Sequence, residues 1–378
     1  MANSLHLSRE VKVWVKFGTS YWNVPILDGL SFSQSTNTAE VSVKEMGSTT
    51  NESRRGRLMF NDSLSAAEWS FSTYMRPFVR GVGSEGATDE HHAVEEVLWA
   101  MLTGAALTDY VANDDKFNAA TSVQNTATGA TMKFGKSNAL TFPDATIYFN
   151  FPGNDAGNAD DSGIWYELAG ATVNECSMDF DIDGIATANW SGMATTLKEL
   201  DSAPSVGTGE ITNAEIISTT SYIRNRLSTL ALTNAGTGAM ETAYSLTLTG
   251  GSITISNNVE YVTPSSLNVV NQPLGHVMGT RTVSGSFTCY LDHGTSKSAD
   301  LLQDMLSRTG DVKNSFGLTL NVGGTTADTP HVIFAAPKAH LELPSHNVED
   351  VVSMEVNFHA LGTDIASTDE ITVTYKGA

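Results

Sequence analysis

Basic side chains are scarce in this chain. Lysine and arginine number 21 against 42 aspartates and glutamates, a formal net charge of −21 over 378 residues. Proteins that hold nucleic acid neutralise phosphates with lysine and arginine, so a surface that grips DNA or RNA throughout is excluded. Charge of either sign is thin: 17% of residues are charged and 40% are hydrophobic. A disordered acidic chain has the opposite balance, so this is a folded protein with large surfaces covered by its own core or by partners. Cysteine occurs only as Cys176 and Cys289. Two are too few for a disulfide framework, and both sit among alternating residues, as packed reduced thiols do. That usage points to a cytosolic or cytosol-assembled protein. No apolar run approaches the ~20 residues of a membrane span. The start, Met1-Ala2-Asn3-Ser4-Leu5-His6, has no basic stretch leading into an apolar one, so no signal peptide is expected. At ~100–200 residues per domain, the length allows two or three.

What is present is alternation. Val11-Lys12-Val13-Trp14-Val15-Lys16, Thr146-Ile147-Tyr148-Phe149-Asn150-Phe151, Ser245-Leu246-Thr247-Leu248-Thr249 and Ile371-Thr372-Val373-Thr374-Tyr375 all read as half-buried strands. Two segments have helical spacing. Residues 92–103 place Val94, Val97, Leu98, Met101 and Leu102 on one face, with Thr88 or Asp89 as N-cap and Gly104 as stop. Residues 298–309 place Leu301, Leu302, Met305 and Leu306 on one face, with Gly310 as stop. The fold class is mainly β, with one helix in each half.

The two halves resemble each other. Glu68-Trp69-Ser70-Phe71-Ser72-Thr73-Tyr74 lies over Ser284-Gly285-Ser286-Phe287-Thr288-Cys289-Tyr290. A loop and the helix follow in each half, with Val97-Leu98-x-x-Met101-Leu102 matching Leu301-Leu302-x-x-Met305-Leu306. Ile147-Tyr148-Phe149-Asn150-Phe151 then matches Leu318-Thr319-Leu320-Asn321-Val322, and Ala188-Asn189-Trp190 matches Val356-Asn357-Phe358. Four matches in one order predict a duplicated β domain, with copies over about 8–200 and 219–378. As domains, the division is 1–203, a connection at 204–220, and 221–378. The stretch from Asp201 to Thr220 is rich in small polar residues and reads as an exposed linker. An insert at about 109–144 reads as polar, with a hairpin through Ala130-Thr131-Met132-Lys133-Phe134. Trp69, Phe71, Tyr74, Trp190, Phe287, Tyr290 and Phe358 are the expected core of the repeat.

These residues resemble the tail tube proteins of tailed bacteriophages. The stretch from Val24-Pro25-Ile26-Leu27-Asp28-Gly29-Leu30 to Thr38-Ala39-Glu40 is similar to that family's first long strand and stacking loop. Phe60-Asn61-Asp62-Ser63 through Arg76-Pro77, and Asp181-Ile182-Asp183-Gly184 through Trp190-Ser191-Gly192, are also similar to it. In the second half the likeness lies in Ser221-Tyr222-Ile223-Arg224-Asn225-Arg226-Leu227 and Asn258-Val259-Glu260-Tyr261-Val262-Thr263-Pro264. The resemblance implies two tandem tail-tube-type β-sandwich or barrel domains, each with one flanking helix. It implies strands closing between subunits around a lumen, rings that stack, and a place in the virion after assembly in the host cytoplasm. Implied partners are further copies of the chain, the tail terminator, distal tail and tape-measure proteins, and DNA in non-specific transit; no membrane is implied. Most members carry one such domain in hexameric rings, so a duplicated chain predicts three copies per ring.

The charge fits a conduit. A cationic wall would hold the DNA backbone, whereas an acidic wall repels it. Three copies bring 3 × (−21) = −63 charges to a ring. Asp179-Phe180-Asp181-Ile182-Asp183 is the candidate wall segment: extended, its carboxylates share one face and Met178, Phe180 and Ile182 the other. An outer solvated strand face is the alternative for these carboxylates. In the family a loop reaches the next ring. Here that loop runs from Glu45 to Arg57 and holds Glu52, Arg54 and Arg55; its arginines suit carboxylate pairing across the stack, or it is simply solvated.

Other chemistries find little support. Asp179-x-Asp181-x-Asp183-Gly184 imitates an EF-hand start, but the position needing a bidentate Glu is Trp190. The acidic stretch from Asn154 to Gly163 could offer at most a weak cation site. His91 and His92 read as surface residues at a helix start. No nucleophile elbow or phosphate-binding loop is present, and nothing in the spacing of His340, Glu342 and His346 builds a hydrolase. Trp69 and Trp190 read as buried strand residues rather than sugar-stacking platforms. The expectation is a structural protein with no cofactor, no metal and no catalysis. The competing reading is a β-sandwich carbohydrate-binding or adhesin-like surface protein.

Overall fold

Residues with small polar and β-branched or aromatic side chains alternate along most of this chain, and the backbone follows them into strands. A computed structural model describes residues 7–41, 57–81, 89–135, 141–152, 163–207, 209–234, 243–268, 270–307, 316–326, 329–348, 350–365 and 367–377. The first half comprises β1 (Lys12–Phe17), β2 (Ser20–Val24), β3 (Ser31–Val41), β4 (Leu58–Tyr74), β5 (Pro77–Gly81), β6 (Asp89–Ala93), α1 (Glu96–Thr103), β7 (Tyr110–Val111), β8 (Lys116–Phe117), β9 (Val123–Thr126), β10 (Gly129–Lys133), β11 (Ala145–Phe151), β12 (Ile164–Asp181), β13 (Thr187–Ala194) and β14 (Thr196–Leu200). Then come α2 (Asn213–Ile217), β15 (Thr229–Asn234), β16 (Ala243–Leu246), β17 (Leu248–Ser256), β18 (Val259–Val262), β19 (Gly275–Met278), β20 (Thr282–Tyr290), α3 (Ser298–Ser307), β21 (Phe316–Val322), β22 (His331–Leu341), β23 (Ser345–Val348), β24 (Val352–Leu361) and β25 (Thr372–Lys376). The protein is mainly β.

One connectivity occurs twice. In the first half β1 pairs with β2 and β11, β11 with β12, β12 with β14 and β13, β13 with β4, and β4 with β3, all antiparallel. In the second half β15 pairs with β16 and β21, β21 with β22, β22 with β25 and β24, β24 with β20, and β20 with β17. Even the irregularity recurs: the ladder shifts between Ala145 and Ile147, and again between Phe316 and Leu318. The long strand β12 belongs to two sheets. Its first part lies between β11 and β14, its last part between β13 and β17, and Gly170 at φ 65° marks the passage. The two halves are therefore joined through one hydrogen-bonded strand pair, β12 with β17.

The match between the third strands is displaced. Phe71 faces Trp190, but Phe287 faces Val356 rather than Phe358. The cause is a size exchange. Trp69 lies opposite Gly192, and a Cβ on that glycine would sit 2.6 Å from the indole. In the second half the ring is on the other strand: Phe358 lies opposite Gly285, where a Cβ would sit 2.7 Å from it. Each site holds one large and one absent side chain, as close packing requires.

Helix α1 starts later than its apolar spacing suggests. Residues 89–93 form β6 against β5, and the helix begins at Glu96 with Gly104 in the left-handed conformation at its end, φ 70°. His92 is thus a strand residue, fully buried against Phe78 at 5.1 Å between centroids, with Nδ1 3.1 Å from Glu96 Oε2; it is not on the surface. All eight residues of α1 are buried, because the insert and the last strand cover the helix. The insert folds as the β9–β10 hairpin, and β10 pairs with β25 at the far end of the chain. Trp99 Nε1 donates to Tyr375 Oη at 2.9 Å, and the Tyr375 hydroxyl donates to Glu95 Oε1 at 2.6 Å. Burial pushes the Glu95 carboxyl up to about 8.

The connecting segment is mostly exposed but tied down. A third helix, α2, forms there with a capping box in which the Thr212 side chain accepts from Glu215 N–H and Glu215 accepts from Thr212 N–H. Buried Arg76 donates to the carbonyls of Ile216, Glu215 and Ser218 at 2.6, 3.0 and 2.7 Å. Both cysteines are free and buried.

Candidate functional site

A continuous sheet runs through both halves in the order β3, β4, β13, β12, β17, β20, β24, and finally β22 continued by β23. Because successive residues of a strand point to opposite faces, this sheet has an apolar and a polar side. The inward set is Trp69, Phe71, Trp190, Cys176, Met178, Ile253, Ile255, Phe287, Val356 and Phe358, each at most 4% exposed. The opposite set is small and polar. One row crosses six strands as Ser31, Ser70, Ser191, Glu175, Ser256 and Thr282. Another runs Ser72, Asn189, Ser177, Thr254, Ser284, His359 and His340. Trp190 anchors the apolar side by donating from Nε1 to Thr73 Oγ1 at 2.9 Å and meeting Trp99 edge-on at 5.0 Å.

Charge on the polar side is mostly acidic. Glu68, Glu175, Asp179, Asp181, Glu342 and Glu355 stand on it or at its margin, and among the described residues of these rows the one lysine or arginine is Lys338, whose ammonium donates to the Thr363 carbonyl. Glu342 accepts from Asn357 Nδ2 at 3.1 Å and lies 3.2 Å from His359 Nε2; these hydrogen bonds hold its carboxyl below the usual range. Glu342 therefore meets His359, while His346 lies on β23 with its side chain exposed.

Asp179 and Asp181 are exposed while Met178 and Phe180 are buried, as the alternation of β12 dictates. Ile182 departs from the expected pattern: the strand ends at Asp181, and Ile182 is 43% exposed. Asp183 sits beyond the strand, 3.7 Å from Arg226. Of the repeat aromatics, Tyr74 is half-buried edge-on to Tyr222, and Tyr290 is 40% exposed instead of lying in the core. Parity explains this, because a tyrosine three residues after an inward phenylalanine faces outward; Cys289 takes the inward place. Glu45, Glu52, Arg54 and Arg55 lie outside the described residues, as does most of the 154–163 stretch. Arg57 is described and forms a two-pronged pair with Glu40, at 2.8 and 2.7 Å. Glu175 and Glu355 were not singled out by sequence reasoning. Their signal was parity with Asp179 and Asn357, readable only once the pairing was known.

The sheet ends at two unpaired edges among the described residues: β3 pairs only with β4, and β23 only with β24. Exposed long edges invite pairing with another chain. No helix among the described residues is long and apolar enough to cross a membrane.

Comparison with known proteins agrees with this architecture. A family model described as "Phage tail tube protein" matches residues 97–360. The tail tube protein pb6 of Escherichia phage T5 is 30% identical over 379 aligned residues, which span 97% of this chain and 75% of the relative. A two-edged sheet with a match over well more than half the chain leads to one assignment: this chain belongs to the phage tail tube proteins, structural components of the virion tail.

Proposed function

We propose that three copies of this chain close head to tail into a ring, that rings stack into a tube, and that the polar sheet face lines a bore through which DNA leaves the particle. The observation that carries this reading is the eight-strand sheet with opposite free edges and a repeated connectivity. A head-to-tail contact of that kind generates a closed ring when its rotation closes. Closure also removes both edges. Three copies of eight strands make 3 × 8 = 24. At ~4.8 Å between strands and ~40° tilt, that barrel is roughly 45–50 Å across between backbones.

The wall then carries Ser, Thr and Asn with Glu68, Glu175, Asp179, Asp181 and Glu355 against the single Lys338, so it repels phosphate and offers little to release counterions. Contacts between rings are assigned to the segment holding Glu45, Glu52, Arg54, Arg55 and Arg57 on the strength of its arginines. Electron cryo-microscopy of tails, or of tubes grown from the purified chain, tests the reading. The expected result is a hollow cylinder of three-chain rings with a negative bore. Solid or monomeric particles, or a neutral or positive bore, would refute it.

A further inference from the structure

A joint between repeats already exists inside the chain. The last part of β12, from the first repeat, pairs antiparallel with β17 of the second, from Glu175 opposite Ser256 to Asp181 opposite Gly250. The duplicated pairings give every residue of that joint a counterpart. Across the recurring bulge, Leu168 faces Ile147 as Ala336 faces Leu318, so β12 positions correspond to β22–β23 positions 336 − 168 = 168 residues later. The correspondence then steps across the sheet by cross-strand partners. Val173 faces Gly192 as Leu341 faces Phe358; Gly192 faces Trp69 as Phe358 faces Gly285; Trp69 faces Phe32 as Gly285 faces Ile253. The second of these steps returns the offset of the Ser-Phe motif alignment, 285 − 69 = 216, although it was reached without that alignment, and the third gives 253 − 32 = 221. Thus Ser177, Met178, Asp179 and Phe180 correspond to Ser345, His346, Asn347 and Val348. Thr254, Ile253, Ser252 and Gly251 correspond to Ser33, Phe32, Ser31 and Leu30.

From this we infer the seam between copies: β23 of one chain pairs antiparallel with β3 of a second, Ser345 opposite Ser33, His346 opposite Phe32, Asn347 opposite Ser31 and Val348 opposite Leu30. The inference rests on the ring reading and specifies its register. Each edge carries half of an unfinished joint. In the internal joint, Phe180 is 5% exposed and Ile253 1%; the counterpart Val348 is 76% exposed, and Phe32 is only half-buried although it stacks on Phe149 at 4.5 Å. Leu343, at the entry to β23, is 61% exposed. Covering such residues is what a neighbouring strand supplies. Sizes also match: the internal pair Phe180–Gly251 joins a large to an absent side chain, and Val348–Leu30 joins two of middle size, so the same space is filled. On the outward side Ser345 and Asn347 meet Ser33 and Ser31, which continues the polar face across the seam. Pro344, just before β23, is a residue tolerated at sheet edges, where it blunts pairing with wrong partners.

Disulfide trapping tests the register. In the internal joint Asn257 N–H donates to the Asn174 carbonyl at 2.8 Å. By alternation Ser177–Thr254 is a pair without mutual hydrogen bonds, with Cα atoms ~4.5 Å apart, inside disulfide range. Ser33→Cys with Ser345→Cys, in the full chain with its two buried cysteines kept, should give disulfide-linked trimers when assembled tubes are treated with copper–phenanthroline. Ser33→Cys with Asn347→Cys is displaced by two residues, ~7–8 Å, and should stay unlinked. Normal tubes in which the first pair stays unlinked, or the second links instead, would overturn this register and leave the ring reading standing. Failure of the unmodified chain to form tubes would remove the ring reading and the seam with it. Should the cysteine variants not assemble, hydrogen exchange on the unmodified chain decides. Amides at 30–34 and 345–348 should gain protection between monomer and tube, and unchanged exchange in either segment would overturn the seam.

Discussion

Replacing Glu95 by glutamine should flatten the dependence of stability on pH. Glu95 is fully buried at the start of α1, accepts from the Tyr375 hydroxyl at 2.6 Å, and has its pKa pushed up to about 8 by burial. Arg76, Tyr375 and Cys176 bear on it electrostatically; burial raises the pKa of the last two well above their usual values, so neither ionises near neutrality. The folded chain therefore keeps a proton that the unfolded chain releases above its ordinary carboxyl value of 4.5. Stability is complete below that value and is lost as pH rises towards 8. The span of 8 − 4.5 = 3.5 units, at ~1.36 kcal/mol each, sets the loss at about 5 kcal/mol. Glutamine keeps a carbonyl for Tyr375 and has nothing to titrate. Urea unfolding of the monomer, followed by tryptophan fluorescence from pH 5 to pH 9, should show a steep fall for the native chain and a shallow one for Glu95→Gln. The two should lie within ~1 kcal/mol at pH 5. Parallel curves over the whole range would refute the reasoning.

Gly192→Ala and Gly285→Ala should destabilise by similar amounts, about 1–3 kcal/mol in denaturant titrations, since each new Cβ would meet a ring at 2.6 or 2.7 Å and a carbonyl oxygen at 2.1 Å. Arg76→Ala removes the donors that hold three carbonyls of the connecting segment, so thermolysin should cut between 201 and 220 in the variant well before it cuts the native chain. The Cys176 thiol, raised by complete burial, should stay unlabelled by a disulfide reagent at pH 8 until urea unfolds the chain. Asp179→Lys with Asp181→Lys should leave tube length unchanged in electron micrographs and slow DNA ejection from assembled particles; an unaltered rate would show that these carboxylates do not face the bore.

Alternation made the strands legible, and order made the repeat legible, because both are local or linear properties of a sequence. The polar and apolar faces of β12 follow from Met178, Asp179, Phe180 and Asp181 with no further information. Strand partners are another matter. Nothing local marks β10 for β25, whose paired residues lie more than two hundred positions apart, or shows that this pairing encloses α1. His92, read as a surface residue at a helix start, is buried for that reason: it lies on β6, beside the β9–β10 hairpin and β25. Tyr290 was misplaced by trusting a repeated motif over strand parity. The displaced Trp190–Phe358 match arose because a ring and a glycine had changed sides, which keeps packing volume but not alignment. The carboxylates of the polar sheet face were half legible. Asp179 and Asp181 stand in an obvious run, whereas Glu175 and Glu355 are single carboxylates that only the ladder brings into line.

The pairing of β10 with β25 has a consequence for synthesis. The helix of the first half is enclosed by a strand of the second, so during synthesis the first half cannot finish its packing until β25 has left the ribosome. A chain cut before β25 therefore lacks the strand that pairs with β10 and the Tyr375 hydroxyl that joins Trp99 to Glu95.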